Sequence, residues 1–370
     1  MKAVILVGGL GTRLRPLTCN TPKPMIPLVN QPFIEAMLLR LRDQGIDEVV
    51  LAVQYLADRF VAALGDGSRL NMKLHIIEEP EPRGTAGAVK NVEHLLDGTT
   101  FVFNGDVMTD LDLRAMLAYH REKQSKVTIS LTPVDDPTQF GLVEMGRDNR
   151  VSRFLEKPRA EDITTNLINA GTYIIEPEVL RYVPPAQFYM FERGLFPVIL
   201  QTGDPMFGFP SRAYWTDIGK PQTYLDVHHD ILIGKVRYNF QGQQIADRVW
   251  LEGDADIHPS AQIVGPLVIG HGVSIGRGAR IIGPSVIGPN CTIGPDVSIE
   301  GVVLWEGNQI AEGAVLRNCV LGRNNQIGPK TQISDGAIIS DECNLGGDNR
   351  LEHGIRIWPG TQLGEQAISF

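Results

Sequence analysis

The chain has 370 residues, 43% of them hydrophobic, and a net charge of −9, a composition typical of globular proteins and long enough for two domains. The acidic balance excludes a general nucleic-acid-binding surface, and the absence of any apolar run of about 18 residues excludes a predicted membrane span. Because residues 1–2 lead straight into the first predicted strand, we expect no signal peptide and a cytoplasmic location.

The first predicted element is an apolar strand over residues 3–7, and it ends in a glycine-rich loop followed by cationic residues. Glycines let backbone N–H groups approach an anion, and nearby cations favour a nucleoside triphosphate. The loop lacks the Gly-Lys-Ser/Thr of a P-loop, and Arg13 and Leu14 replace the last glycine of a dinucleotide fingerprint. The nucleotide-binding residues expected here are Leu6, Gly8, Gly9, Gly11, Thr12, Arg13 and, for the phosphates, Lys23.

Short apolar runs alternate with amphipathic stretches up to about residue 235, which predicts an α/β domain with a mainly parallel sheet. In such a sheet, ligands collect at the carboxyl ends of the strands, and Asp106 follows one of these ends. The predicted strands are 3–7, 48–53, 73–78, 101–104 and 151–155, and the predicted helices are 32–45, 56–64 and 84–96.

From residue 257 onward the aliphatic residues recur with a period of six, which neither a helix nor an ordinary strand produces. This period predicts a β-helix with three short strands per coil. The series runs from Ile257 to Ile299, is interrupted near Trp305, and is predicted to resume at Val315 and continue to Leu363. Three of the four cysteines fall within it and are predicted to pack in its core as reduced thiols. The predicted domains are 1–235 and 257–370, joined by a connector over 236–256.

Several motifs resemble those of the sugar-1-phosphate nucleotidyltransferases, also called nucleotide-sugar pyrophosphorylases. They are the glycine loop, Thr-Pro-Lys-Pro at 21–24, Phe-Asn-Gly-Asp-Val at 103–107, Glu-Lys-Pro at 156–158 and Trp-Thr-Asp-Ile-Gly at 215–219. The resemblance extends over essentially the whole chain. It implies a Rossmann-like nucleotidyltransferase domain with a mainly parallel mixed sheet, followed by a left-handed β-helix of hexapeptide repeats.

The resemblance also implies roles for individual residues. Arg13 and Lys23 would steady the triphosphate, and Asp106 and Asp217 would coordinate Mg²⁺, which prefers hard oxygen ligands. The nearby Asp110 and Asp112 are interpreted as loop or cap residues. The sugar phosphate would be held by Gly141, Glu156, Lys157 and Asn169.

Glu79 lies at the position that contacts the base edge in this family, just ahead of Gly84 and Thr85, which are also expected to bind the nucleotide. A carboxylate only accepts hydrogen bonds, and guanine presents two adjacent donors, N1–H and N2–H₂. Glu79 therefore favours GTP. The alternatives are that Glu81 takes this role, or that the segment is a solvated acidic loop.

The resemblance and the chemistry of Glu79 together imply a Mg²⁺-dependent enzyme that makes GDP-mannose and pyrophosphate from GTP and mannose 1-phosphate. We also expect a homo-oligomer that assembles through the β-helix. Two other functions stay open: a UDP- or dTDP-glucose pyrophosphorylase, and a non-catalytic regulatory relative. Four histidines in predicted helical stretches, His94, His120, His228 and His229, are interpreted as surface or boundary residues.

Overall fold

A computed structural model describes residues 1–9, 11–79 and 81–369, so residue 370, the last of the predicted β-helix domain, lies outside the described part. The chain divides into two compact units. The first unit comprises Met1–Gly9 and Ile34–Asp217, and the second comprises the described residues of segments 10–33 and 218–370. Among the described helices, none has both the length and the apolar character needed to cross a membrane.

Strands and helices alternate through the first 232 residues, as the apolar pattern predicts. The elements in chain order are β1 Lys2–Val7, β2 Pro27–Leu28, β3 Gln31–Pro32, α1 Phe33–Asp43, β4 Glu48–Val53, α2 Ala57–Leu64, β5 Lys73–Glu78, α3 Gly84–Asn91, β6 Thr100–Asn104, β7 Val107–Thr109, α4 Leu113–Glu122, β8 Val127–Pro133, β9 Gly141–Met145, β10 Val151–Glu156, β11 Leu167–Ile175, α5 Phe196–Thr202, β12 Met206–Pro210, β13 Trp215–Asp217 and α6 Pro221–Leu232.

A nine-stranded mixed sheet forms the centre of the first unit. Its main path has the order β10-β9-β11-β6-β1-β4-β5, and β8 joins it beside β11 with β12 on its far side. Strands β1, β4, β5 and β6 are parallel, whereas β11 runs antiparallel to β6. The central strands are apolar on both faces because helices cover the sheet, and Ala3, Val4 and Ile5 are fully buried.

The predicted elements of the first unit are confirmed, with small differences at their ends. Strands β4 and β5 have the predicted bounds, and β10 extends one residue further, to Glu156. The helix predicted over 84–96 is α3, which ends at Asn91 and is followed by a separate 3₁₀ turn, Glu93–Leu95. The helix predicted from residue 32 begins at Phe33, since Pro32 belongs to β3.

The second unit contains the remaining strands. They are β14 Gln243–Ala246, β15 Val249–Leu251, β16 Ala255–Ile257, β17 Gln262–Val264, β18 Leu267–Ile269, β19 Val273–Ile275, β20 Arg280–Ile282, β21 Ser285–Ile287, β22 Thr292–Ile293, β23 Ser298–Glu300, β24 Val303–Leu304, β25 Gln309–Ile310, β26 Val315–Arg317, β27 Val320–Leu321, β28 Gln326–Ile327, β29 Gln332–Ile333, β30 Ile338–Ile339, β31 Asn344–Leu345, β32 Arg350–Leu351, β33 Arg356–Ile357 and β34 Gln362–Leu363.

From β15 on, these strands form a β-helix with three faces. Each strand from β15 to β31 pairs in parallel with the strand three positions later, which gives three separate sheets of stacked short strands. The core between the sheets contains the period-six aliphatic residues and three buried cysteines, Cys291, Cys319 and Cys343. The predicted packing of these thiols is confirmed, and burial raises the pKa of the Cys291 thiol to about 12.

The interruption near Trp305 consists of two shortened coils. Leu304 pairs with Ile287 and with Leu321, seventeen residues away in each direction, whereas Leu321 and Ile339 are eighteen apart. The prediction that the series resumes at Val315 is wrong. Leu316 is the fully buried residue that pairs with Ile299 and Ile333, and Val315 is only partly buried.

The division into units differs from the predicted domains near the connector and also near the start of the chain. Strands β14, β15 and most of β16 come from the predicted connector 236–256, so the sheets of the β-helix begin before residue 257. Helix α6 and segment 11–33 were predicted to lie in the first domain, but they group with the β-helix. Local patterns could not reveal this because the contacts of segment 11–33 are made with residues some 200 to 340 positions away.

Two histidines that were predicted to be surface or boundary residues are buried. His120 is 2% exposed and contacts Thr128 Oγ1 (2.8 Å) and Glu176 Oε1 (3.1 Å). His228 is fully buried in α6, where Val29 N donates to its Nε2 (3.2 Å). The reason is that both histidines lie on the inner faces of their helices, where each nitrogen has a polar partner.

Candidate active site

The carboxyl ends of the parallel strands in the first unit form one edge of the sheet. Strand β1 ends at the glycine loop, where Gly9 has a φ of +101° that disfavours other residues. A Cβ on Gly8 would lie 2.9 Å from the Gln54 side chain, which follows β4. On the other side, Gly105 N donates to Leu6 O (3.0 Å). The predicted residues Leu6, Gly8 and Gly9 therefore lie directly beside the loop after β6.

Asp106 and Asp217 are brought together by strand pairing. Strand β7 starts directly after Asp106 and pairs antiparallel with β13, so that Asp217 is opposite Val107. Both carboxylates thus lie at the same end of this two-stranded sheet. Asp110 and Asp112 instead accept hydrogen bonds from Tyr214 N (2.7 Å) and Ala115 N (3.0 Å), which confirms that they are loop and cap residues.

The charges of three carboxylates act on the buried phenol of Tyr173. Burial raises the pKa of Tyr173 well above its ordinary value, and the charges of Glu192, Glu156 and Asp106 act in the same direction. The predicted metal residue Asp106 and the predicted sugar residue Glu156 are therefore close enough to act on the same group. Burial also raises the pKa of Glu192, with a contribution from Glu156.

Glu79 follows β5 and is only 4% exposed, which excludes the alternative of a solvated acidic loop at this position. Its Oε2 accepts weakly from Arg83 N (3.4 Å), but its Oε1 is buried and has no hydrogen-bond partner among the described residues. Burial raises the pKa of the Glu79 carboxyl, against the hydrogen bonds from Gln54 and Arg83. A buried acceptor without a donor is costly, so a ligand that donates here would be favoured. Glu81 is exposed.

Gly84 and Thr85 begin α3, as predicted, and both pack against the segment before α5. Gly84 has a φ of +70°, and a Cβ there would lie 2.7 Å from Tyr189 O. The Thr85 hydroxyl donates to Glu192 Oε2 (3.1 Å) and accepts from Phe191 N (2.9 Å). The hydroxyl of Thr85 therefore supports this segment, so any contact it makes with a nucleotide is additional.

The predicted sugar-phosphate residues lie on and after the paired strands β9 and β10. Glu156 pairs with Gly141, and Lys157 N donates to Phe140 O (3.0 Å). Lys157 is exposed and has a φ of +50°. A Cβ at Gly141 would lie 2.6 Å from Phe154 Cζ, so this glycine is required by packing, besides any approach of a sugar.

Asn169 uses its amide group within β11. Its Nδ2 donates to Tyr173 OH (2.8 Å), and its Oδ1 accepts from Gly171 N (3.0 Å). One N–H and one lone pair are left for a ligand. Gly171, in the same part of β11, packs against the side chain of Asn104. The Oδ1 of Asn104 is buried and has no hydrogen-bond partner among the described residues.

The predicted cationic residues lie in the second unit, in segment 11–33. Gly11 has a φ of +59° and its carbonyl accepts from Thr18 Oγ1 (2.8 Å). Thr12 and Arg13 lie in an exposed 3₁₀ turn. Lys23 is 8% exposed, which is rare for lysine and excludes a solvated surface charge at this position.

Comparisons of the sequence with known protein families match one family model to each part of the chain. The family model described as nucleotidyl transferase matches residues 2–233, and a model described as the EIF2B subunit epsilon LbH (left-handed β-helix) domain matches residues 246–351. The chain belongs to the nucleotidyl transferase family. The predicted fold, a nucleotidyltransferase domain followed by a left-handed β-helix, is confirmed.

Similar proteins include a mannose-1-phosphate guanylyltransferase of Mycobacterium tuberculosis, which is 37% identical over 85% of this chain and 82% of its own. A UTP–glucose-1-phosphate uridylyltransferase of Synechocystis is 32% identical over 85% of this chain and 86% of its own. The solved structure of HddC from Yersinia pseudotuberculosis has a TM-score of 0.54 and 32% identity, and the match covers 61% of this chain and 97% of that one. The family and these relatives make the chain a sugar-phosphate nucleotidyltransferase.

Sequence reasoning missed three polar residues at this edge of the nucleotidyltransferase sheet. They are Gln54, which contacts both the glycine loop and Glu79, Asn104 with its buried oxygen, and Glu192 beside Glu156. Gln54 and Asn104 could have been found, since each follows or ends a predicted parallel strand. Glu192 could not, because its position depends on the contact of its segment with α3.

Proposed function

We propose that the chain transfers GMP from GTP to the phosphate of mannose 1-phosphate, forming GDP-mannose and releasing pyrophosphate. The membership of the nucleotidyl transferase family supports the reaction type. The name of the M. tuberculosis relative, mannose-1-phosphate guanylyltransferase, supports the choice of both substrates. HddC has also been solved in complex with GMP-PN, which adds support for a guanine nucleotide.

The observation that carries the proposal is the buried oxygen of Glu79. Guanine offers N1–H and N2–H₂ side by side, so it would supply the donor that Oε1 lacks. Uracil and thymine place a single N–H between two carbonyl oxygens, and a carboxylate would repel those oxygens. Adenine offers one amino group beside an acceptor. Guanine is therefore the base that this carboxylate fits best.

The reaction is an in-line attack of a sugar-phosphate oxygen on the α-phosphorus, with pyrophosphate leaving. Attack of one phosphate on another brings like charges together, so positioning and neutralisation of charge supply most of the catalysis. We assign triphosphate binding to Arg13, Lys23 and the backbone N–H groups of the glycine loop. Lys157 would bind the sugar phosphate as a point charge, and Glu156 and Asn169 would contact hydroxyl groups of the sugar.

Asp106 and Asp217 fit a divalent metal ion of the Mg²⁺ type. Their carboxylates are hard oxygen donors, and the pairing of β7 with β13 places them at one end of the same small sheet. No group of three or more His, Cys, Asp or Glu side chains among the described residues could hold a metal by itself, so phosphate and water would complete the shell, as is usual for Mg²⁺. When bound, Mg²⁺ would neutralise phosphate charge.

A panel of the four nucleoside triphosphates against several sugar 1-phosphates, followed by release of pyrophosphate, tests the substrates directly. We expect the fastest turnover with GTP and mannose 1-phosphate. Faster turnover with UTP or dTTP would favour the uridylyl- or thymidylyltransferase alternative, for which the Synechocystis relative is the precedent. If no triphosphate releases pyrophosphate, the proposed reaction is refuted and the non-catalytic alternative gains support.

Substitution of Glu79 tests whether its carboxylate recognises the guanine base. The Glu79→Gln variant replaces an acceptor by an amide that can turn a donor toward the guanine N–H groups. We expect kcat/KM with GTP to fall about 100-fold and the relative rate with UTP or dTTP to rise. Glu81→Gln is the matched control, because Glu81 is exposed and lies two residues away. Equal losses in both variants, or a loss only in Glu81→Gln, would contradict the assignment.

We further infer a cytoplasmic location and assembly through the β-helix. Support for a reducing compartment comes from the four cysteines, all of which are free. Support for assembly comes from large apolar side chains exposed on the β-helix, Val264 (51%) and Trp358 (52%). The molar mass in solution, measured by light scattering, tests the second inference.

A further inference from the structure

The cationic segment 11–33 is bound to one side of the β-helix by a series of hydrogen bonds. Both ends of the region between Arg13 and Lys23 are held by side chains from late coils. The bonds are Arg356 Nη1 to Arg15 O (3.1 Å), Ser340 Oγ to Pro16 O (2.9 Å), Asn20 Nδ2 to Asp341 Oδ2 (3.4 Å) and Arg323 Nη1 to Thr21 Oγ1 (2.7 Å).

Arg323 is the most strongly anchored of these side chains. Its Nε donates to Glu306 Oε1 (2.8 Å), and its guanidinium lies 4.9 Å from the centre of the Trp305 ring. With both contacts made, little rotamer freedom remains to be lost when the bond to Thr21 forms. Thr21 is 6% exposed and precedes Lys23 by two residues.

The Trp305 ring, which Arg323 contacts, is linked through Tyr224 to Pro27, near the other end of segment 11–33. Trp305 is 1% exposed, and its Nε1 donates to Tyr224 OH (2.9 Å). That hydroxyl in turn donates to Pro27 O. Lys23 therefore lies between two points, Thr21 and Pro27, that are both fixed through the Arg323–Trp305–Tyr224 contacts.

We propose that Arg323 of the β-helix is a positioning residue for the transfer reaction. Through Thr21 it holds the segment that carries Lys23 in the geometry needed at the triphosphate, so the β-helix contributes to catalysis within a single chain. Misplacement of a charged group by about 1 Å can reduce a rate by about 100-fold. This inference rests on the proposed role of Lys23.

A double-mutant cycle tests the inference. We expect Arg323→Ala and Thr21→Val each to lower kcat/KM for the triphosphate by about 10- to 100-fold, mainly through kcat, with little change in KM for the sugar phosphate. The kcat/KM of the double variant should be no lower than that of the less active single variant, because both substitutions remove the same hydrogen bond. Arg323→Lys should recover part of the activity, since lysine keeps a donor but loses the planar stack on Trp305.

Arg280→Ala is the matched control, because Arg280 is an exposed arginine of the same β-helix, on β20, far in sequence from Arg323, which follows β27. We expect activity within about twofold of the unmodified chain. Effects of Arg323→Ala and Thr21→Val that multiply in the double variant, or an Arg323→Ala variant as active as Arg280→Ala, would overturn the proposal.

Amide hydrogen exchange separates this inference from the proposed function. Arg323→Ala should raise exchange across residues 11–33 relative to the unmodified chain and to Arg280→Ala, whether or not the substrates are GTP and mannose 1-phosphate. Unchanged exchange would show that Arg323 does not hold the segment. If the substrate panel identifies another nucleotide, the same cycle is measured with that nucleotide.

Discussion

Two aspartates between β6 and α4 lie in different surroundings. Asp112 caps α4 by accepting from Ala115 N. Asp106 precedes β7 and lies near Asp217 through strand pairing. A cap needs only an acceptor, which asparagine also supplies, whereas a carboxylate bound to Mg²⁺ also contributes a negative charge, which asparagine lacks.

This contrast gives a prediction for the metal site. We expect Asp106→Asn to lower turnover by about 100-fold or more, since one of the two proposed carboxylate ligands loses its charge. Asp112→Asn should leave turnover nearly unchanged, because asparagine is also a good cap. Both variants are compared by pyrophosphate release at saturating substrate over a range of Mg²⁺ concentrations. Near-normal activity of Asp106→Asn would refute the assignment.

Residue types alone predicted most of the candidate site, but not its internal hydrogen bonds. The acceptor-only chemistry of Glu79 was readable from the sequence, and its burial came from the structure. Thr85 and Asn169 were predicted as ligand-binding residues, yet their polar groups also hold the protein together. A motif identifies a side chain and cannot tell how many of its donors and acceptors are already used.

At the scale of elements, the period of six predicted the β-helix but misplaced one strand. Val315 and Leu316 are both aliphatic, and Val315 keeps the six-residue spacing to Leu321. The structure instead buries Leu316, which leaves five residues to Leu321. The shortened coil is tolerated because parallel pairing of β26 with β23 and β29 is kept.

The two adjacent positions can be compared directly. Leu316→Ala should lower the free energy of unfolding by about 2–5 kcal/mol, because it leaves a cavity in a core that packs closely. Val315→Ala should cost clearly less, since Val315 is only partly buried. Urea unfolding of the two variants provides the measurement. A larger loss in Val315→Ala would show that the predicted phase was correct after all.

For the whole molecule, His228 connects parts of the chain that are far apart in sequence. Val29 N donates to Nε2 (3.2 Å), and Nδ1 lies 2.8 Å from Tyr224 O, so the ring must be neutral with its proton on Nδ1. Burial lowers the pKa of His228 to about 4, with a smaller effect from His229. Protonation of Nε2 would remove the acceptor for Val29.

The lowered pKa of His228 makes the folded state more stable at neutral pH than at acidic pH. As the pH falls, His228 of the unfolded chain is protonated near pH 6.5, whereas His228 of the folded chain is protonated only near pH 4. The stabilisation of the folded state by His228 is therefore fully present above pH 6.5 and is lost as the pH falls from 6.5 to about 4. We expect a loss of up to about 3 kcal/mol. Urea unfolding should show a smaller difference between the unmodified chain and His228→Gln at about pH 5 than at neutral pH. The exposed His94 provides the control, His94→Gln, for which no such convergence is expected.

The sequence by itself determined the local features: the strand that ends in a glycine loop, the alternation of the first unit, the period of the β-helix and the chemical types of the site residues. Each of these depends on spacings of a few residues, which side-chain periodicity encodes. Only the tertiary structure decided that Asp217 pairs beside Asp106 and that segment 11–33 groups with the β-helix. Such contacts join residues that are distant in the chain, and their hydrogen bonds depend on how the two partners pack, for which no local pattern carries a signal.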